Sequence, residues 1–108
     1  MDLTIETISS ETEHQVNLFG DVDAFTGPKV KEAIMALVES PDAASIVVDL
    51  ANVEYMDSTG IGIFIAVMKA CKQTGRVLAV QNLSSRVERL FRITGLYELI
   101  SIRKGASE

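Results

Sequence analysis

The sequence predicts an α/β domain: one β-sheet with helices packed on it. Three observations predict it. From Thr26 onward, stretches of helical period alternate with short runs of strand formers. The run "SIVVDL" has no polar face, which calls for a strand covered on both sides and parallel to a neighbour. The chain has 108 residues, one ordinary domain, and 47% of them are hydrophobic, enough to fill a core. A single domain over 1–108 is therefore expected.

Each element follows from its pattern. "LTIETI" alternates and is rich in β-branched residues, and "QVNLFG" alternates again with Val16 and Leu18 on one face. The acidic "SSETEH" between them reads as the turn of an antiparallel hairpin. Thr26 can cap a helix and Pro28 suits its first turn. Val30, Ala33, Ile34, Leu37 and Val38 then form one apolar helical face, and Pro41 ends it. After "SIVVDL", the segment "IGIFIAVMKACKQTG" reads as a helix closed by Gly75. "VLAV" reads as a second central strand. "SSRVERLFRITG" reads as a third helix with Val87, Leu90 and Phe91 facing inward. "YELISI" fits an edge strand or a short helix equally well. The order is β-β-α-β-α-β-α with a short final element, joined by right-handed crossovers.

Composition excludes several classes of function. A net charge of −5 is a poor match for nucleic acid, whose phosphates need clustered Lys and Arg. It suits a protein partner of basic or mixed charge. "MDLTIETISS" has neither the basic nor the apolar region of a signal peptide, and no apolar run is long enough to span a membrane, so a cytoplasmic protein is expected. Cys71 stands alone and reads as a buried free thiol in a helix. Enzyme chemistry has little to stand on. The only histidine, His14, begins the second strand, and no Gly-x-Ser-x-Gly elbow occurs. Asp49, Glu54 and Asp57 lack metal-loop spacing, and no phosphate-binding glycine motif is present. No cofactor is expected.

The stretch "MDSTGIG", residues 56–62, is the most informative. Asp57 or Ser58 can cap the helix that follows. No capping-box partner stands three residues on, where Gly60 and Ile61 are found. Ile61, Ile63, Phe64, Ile65, Ala66, Val67 and Met68 surround the helix with apolar surface. Gly60 and Gly62 each cost roughly 1 kcal/mol of helix stability relative to Ala, tolerable where another surface comes close. An apolar helix start beside a hydroxyl-bearing loop has the character of a docking patch, although Ile61 and Ile65 also fit a core. A phosphate on Ser58 would add roughly −1.5 to −2 charges, tolerated by the helix N-terminus and repelled by a bound partner surface.

"VEYMDSTGIGIF" resembles the phosphorylation-site region of the STAS-domain anti-sigma factor antagonists, the general stress-response type above all. The resemblance runs the length of the chain: "GDVDAFTGPKVKEAI" is similar to their Gly-acid-hydrophobic-Asp segment and first helix, and "NLSSRVERLFRITGLYELI" to their C-terminal stretch. Ile61 stands where Leu is frequent. The resemblance implies a STAS fold, a single mixed sheet of four to five strands with three to four helices packed on it. It implies an antagonist that has no activity of its own. Unphosphorylated, it binds an anti-sigma factor that is also a serine kinase, and a sigma factor is released for transcription. The kinase phosphorylates the motif serine, here Ser58 and not its neighbour Thr59, and a PP2C-type phosphatase reverses this. Asp21 and Asp23 match acidic positions that engage the kinase. Asp57, Ser58, Thr59, Gly60, Ile61 and Phe64 complete the expected contact surface, on a chain that is monomeric when free. The alternative is a STAS scaffold module without a phosphate cycle.

Overall fold

The computed structural model describes residues 2–42 and 45–103. Alternation of apolar and polar residues builds the hairpin first. Strand β1 (Leu3–Ser9) pairs antiparallel with β2 (Glu13–Val22), from Leu3 opposite Gly20 to Ser9 opposite His14. Strand β3 (Ser45–Met56) lies parallel to β2 on one side and to β4 (Leu78–Gln81) on the other. A short strand β5 (Ser101–Arg103) adds parallel to β4, giving the order β1-β2-β3-β4-β5. Among the described residues this is the mixed sheet expected, with five strands and three α-helices.

The rung Val16–Val48–Val80 runs straight across the three central strands, and all three side chains are fully buried. Because side chains alternate along a strand, Gln15, Asn17, Asp49 and Gln81 point to the other face. There they bond to one another: Gln15 Nε2 donates to Asn17 Oδ1 at 3.0 Å and Gln81 Nε2 to Asp49 Oδ2 at 2.9 Å. Val47 and Ala79 on that face are also buried, as the apolar run of β3 requires.

Helices α1 (Gly27–Val38), α2 (Ser58–Gln73) and α3 (Ser85–Ile93) contribute Val30, Ile34, Phe64, Val67, Val87 and Phe91 to one core with the sheet. Phe64 and Phe91 meet with ring centroids 5.8 Å apart, joining α2 to α3. Cys71 is a buried free thiol, and burial pushes its pKa up.

One expectation is corrected and two are refined. Thr26 stands at the N-cap of α1, but its side chain does not cap the helix; its hydroxyl donates to the Asp21 carbonyl at 2.7 Å and accepts from the Asp23 amide at 3.0 Å. The third-helix residue Leu90 packs against the core as expected, though it is half-buried where Val87 and Phe91 are fully buried. "YELISI" is divided: Leu96–Glu98 is one turn of 3₁₀ helix, and β5 follows it.

Candidate functional site

The parallel pair β2 and β3 end on the same rung. Val22 is registered with Met56, and the amide of Asp57 donates to the Val22 carbonyl at 3.3 Å. Residues 23–26 and the start of α2 therefore emerge side by side at the C-terminal ends of the strands.

Two glycines allow these segments to close on each other. A Cβ on Gly27 would lie 2.7 Å from Ile63 Cδ1 and 3.2 Å from Thr59 Cγ2, so the start of α1 packs closely on α2 and a side chain there would displace Ile63. A Cβ on Gly60 would lie 2.5 Å from Met56 Cγ and 3.1 Å from Val22 Cγ1. Gly60 thus presses the first turn of α2 onto the strand ends.

Asp57 caps α2. Its backbone is extended, at φ −115° and ψ −169°, and its carboxylate accepts from the Thr59 amide at 2.9 Å. Ser58 is the first helical residue. It is exposed, and its hydroxyl bonds to no described residue. Gly62, one turn further on, is exposed too, and a Cβ there would meet nothing within 4 Å. Ser58 and Gly62 share a helix face at i, i+4 and leave a bare, solvent-facing stripe.

The loop beside them is held from within. Asp23 Oδ1 accepts from the Phe25 amide at 2.9 Å, the Thr26 amide at 3.0 Å and the Thr26 hydroxyl at 3.3 Å. The Thr26 amide above all holds the Asp23 carboxyl below the usual carboxylate range, against a smaller opposing effect of burial. Asp21 is half-buried, and its carboxylate pairs with no described residue.

The structure brings Asp57, Ser58 and Thr59 together with the loop that carries Asp21 and Asp23. It removes the other expected contacts from the surface. Phe64 is 0% exposed, its ring tilted against that of Phe91, and Ile61 is 4% exposed. Gly60 is buried against Met56. These three residues support the site from below, because an α2 wedged between the other helices and the sheet buries most of its circumference. One exposed residue escaped the sequence reading: Phe25, 89% exposed at the tip of the Asp23–Thr26 turn. Its signal was an aromatic in a short polar loop with no periodic apolar partner.

His14 is remote from all of this. It lies at the opposite end of the ten-residue β2, roughly 25 Å from Val22 at strand rise. It bonds to Ser9 Oγ at 2.7 Å and to Asp42 Oδ1 at 3.0 Å and cannot act as a base for Ser58. Among the described residues no group of three or more His, Cys, Asp or Glu side chains could hold a metal, and no helix is long and apolar enough to cross a membrane.

The chain matches the STAS domain family over residues 4–108. It is 38% identical over 105 residues to an anti-sigma-B factor antagonist of Staphylococcus epidermidis, covering 97% of this chain and 96% of that one. Its fold is similar to that of an anti-sigma factor antagonist from Mycobacterium paratuberculosis, with a TM-score of 0.82 and 24% identity over 98% of this chain and 89% of the other. It is also similar to the Bacillus cell-fate determinant SpoIIAA in the phosphorylated form, with a TM-score of 0.75 and 17% identity over 97% and 92%. With this sheet order, this helix start and near full-length kinship, the chain belongs to the STAS-domain anti-sigma factor antagonists, non-enzymatic regulators of the partner-switching type.

Proposed function

We propose that Ser58 is the phosphoacceptor of a switch: unphosphorylated, the chain binds an anti-sigma factor with serine kinase activity in the cytoplasm and so frees a sigma factor, and phosphorylation of Ser58 ends that binding until a PP2C-type phosphatase restores it. One observation carries the reading. The N-cap of α2 is Asp57, whose carboxylate accepts from the Thr59 amide at 2.9 Å, so the cap does not draw on Ser58. Ser58 is left exposed, with a hydroxyl that bonds to no described residue.

The first turn of α2 accepts a phosphate in place, since its free amides and the helix dipole favour an anion. A partner covering Ser58 and the bare backbone at Gly62 meets a hydrated dianion instead of a small hydroxyl. Desolvating it costs several kcal/mol. Asp21, Asp23, Phe25, Asp57 and Thr59 frame the contact. Asp23 acts through the loop it folds, and Phe25 offers an exposed aromatic anchor of the kind that dominates interfaces.

The test is intact-mass and peptide mass spectrometry after incubation with the kinase of its own organism and ATP. One phosphate on Ser58, absent from the Ser58→Ala variant, is the expected result. Full labelling of Ser58→Ala, or labelling of Thr59 in its place, overturns the assignment.

A further inference from the structure

Helix α3 carries three arginines, and the fold treats them differently. Arg92 is committed: its Nε donates to Glu88 Oε2 at 2.9 Å, and its guanidinium lies 3.9 Å from the centroid of the Tyr97 ring. Arg86 and Arg89 are exposed and form no hydrogen bond or ion pair with a described residue. Helical spacing places them on one face with Leu90 and Ile93. That face and the end of β3, Tyr55 and Met56, line an open recess of about 250 Å³. Met56 and Leu90 join its floor to the core, but two of its apolar walls stand outside it. Ile93 is 72% exposed and Tyr55 45%, whereas Val87 and Phe91 on the opposite side of α3 are buried.

Two features point to what fits there. On a chain of net charge −5, two uncommitted guanidiniums are a local reversal of sign. The recess is also continuous with the surface proposed above, because Met56 in its wall is followed directly by Asp57 and Ser58.

We propose that this recess is a second docking subsite for the anti-sigma partner, and that its occupant is an apolar side chain on a segment of that protein bearing carboxylates beside it. The apolar walls reward burial of an aliphatic or aromatic group. The guanidinium forks match carboxylates and would be stripped of water without compensation by a neutral or basic segment. The inference rests on the function proposed for Ser58. It adds that the partner's footprint extends from α2 across the end of β3 to α3, so that orientation is set at two points.

The experiment measures binding of the full-length, unphosphorylated chain to the purified anti-sigma factor of its own organism by titration calorimetry. The variants are Arg86→Glu/Arg89→Glu, Ile93→Ser and Ser58→Asp, with Lys31→Glu/Lys72→Glu as a control of equal charge change elsewhere. All these positions are exposed, and circular dichroism and thermal melting establish that each variant is folded. The arginine pair is expected to lose about tenfold or more in affinity, with a flatter salt dependence, and Ile93→Ser about tenfold, while the lysine control stays within about twofold. Affinities of the α3 variants within about twofold of the parent overturn the subsite. So does an equal loss in the lysine control, which would make the effect one of net charge. A loss seen only in dephosphorylation, or a dimer that dissociates only in these variants, assigns the recess to another occupant and overturns it as well. Ser58→Asp separates the two readings: if it binds like the parent while the α3 variants weaken, the phosphate switch falls and the subsite stands.

Discussion

The two ends of the parallel strands β2 and β3 use the same residue types in opposite ways. At the end where the strands begin, Ser9, His14, Ser40, Asp42 and Arg76 bind one another. His14 bridges Ser9 and Asp42, Ser40 Oγ donates to Asp42 Oδ1 at 3.1 Å, and Arg76 donates to the carbonyls of Ser40 and Asp42. His14 is buried, and the Arg76 side chain is 6% exposed. At the end where the strands finish, Ser58, Gly62 and Phe25 face solvent and the Ser58 hydroxyl has no partner among the described residues. A serine, a histidine and an aspartate in line have the composition of a hydrolytic site, yet the amides near Ser9 are already taken: those of Thr12 and Glu13 donate to Ser10 Oγ. Polar groups that satisfy each other hold a fold together. Polar and apolar groups left open wait for something outside the chain.

The comparison is broken most sharply by moving a charge into the open end. Ser58→Asp is expected to weaken anti-sigma binding by about a hundredfold, measured by titration calorimetry, since a carboxylate must be desolvated at the contact. Its folding stability should change by less than about 0.5 kcal/mol, because an anion suits a helix N-terminus. A variant that binds normally, or that fails to fold, would contradict the division of labour between the two ends.

His14→Ala tests the closed end. The substitution leaves Ser9 and Asp42 without their shared partner and should lower stability by about 1–3 kcal/mol in urea unfolding. Binding by the folded fraction should be unchanged. A large loss of affinity without a loss of stability would make this end functional after all.

The two glycines of the motif sharpen the contrast within one helix turn. Gly60→Ala forces a methyl group against Met56 and should cost about 1–3 kcal/mol. Gly62→Ala meets open space and should stabilise α2 by up to about 1 kcal/mol, while its methyl group intrudes on the partner.

The smallest effect is a titration. Asp23 has a lowered pKa in the folded chain, so its charged form favours folding. That contribution is complete above the unfolded carboxylate value of about 3.9 and is lost as pH falls through the folded value. Carbonyl-detected NMR of Asp23 should therefore show a midpoint below about 3.9, and the Phe25 and Thr26 amides should lose protection only in acid. A midpoint at or above the unfolded value would mean that these hydrogen bonds do not hold the loop in solution.

The sequence by itself determined the order of the elements, the central buried strands and the choice of Asp57 or Ser58 as the start of α2. These depend on local chemistry: alternation, helical period, and which side chains can reach an amide two residues on. The resemblance to the antagonist family was likewise legible, since it lies in a contiguous motif. The tertiary structure alone decided which of the two candidates caps the helix, which glycine is pressed inward, and that Ile61 and Phe64 are support while Phe25 is surface. An apolar helix offers several faces of nearly equal hydrophobicity, so its own period cannot say which one the sheet will take. Nor can spacing along the chain bring residues 21–26 beside Ser58. That follows from two parallel strands ending on one rung, a fact about register that exists only once the sheet has formed.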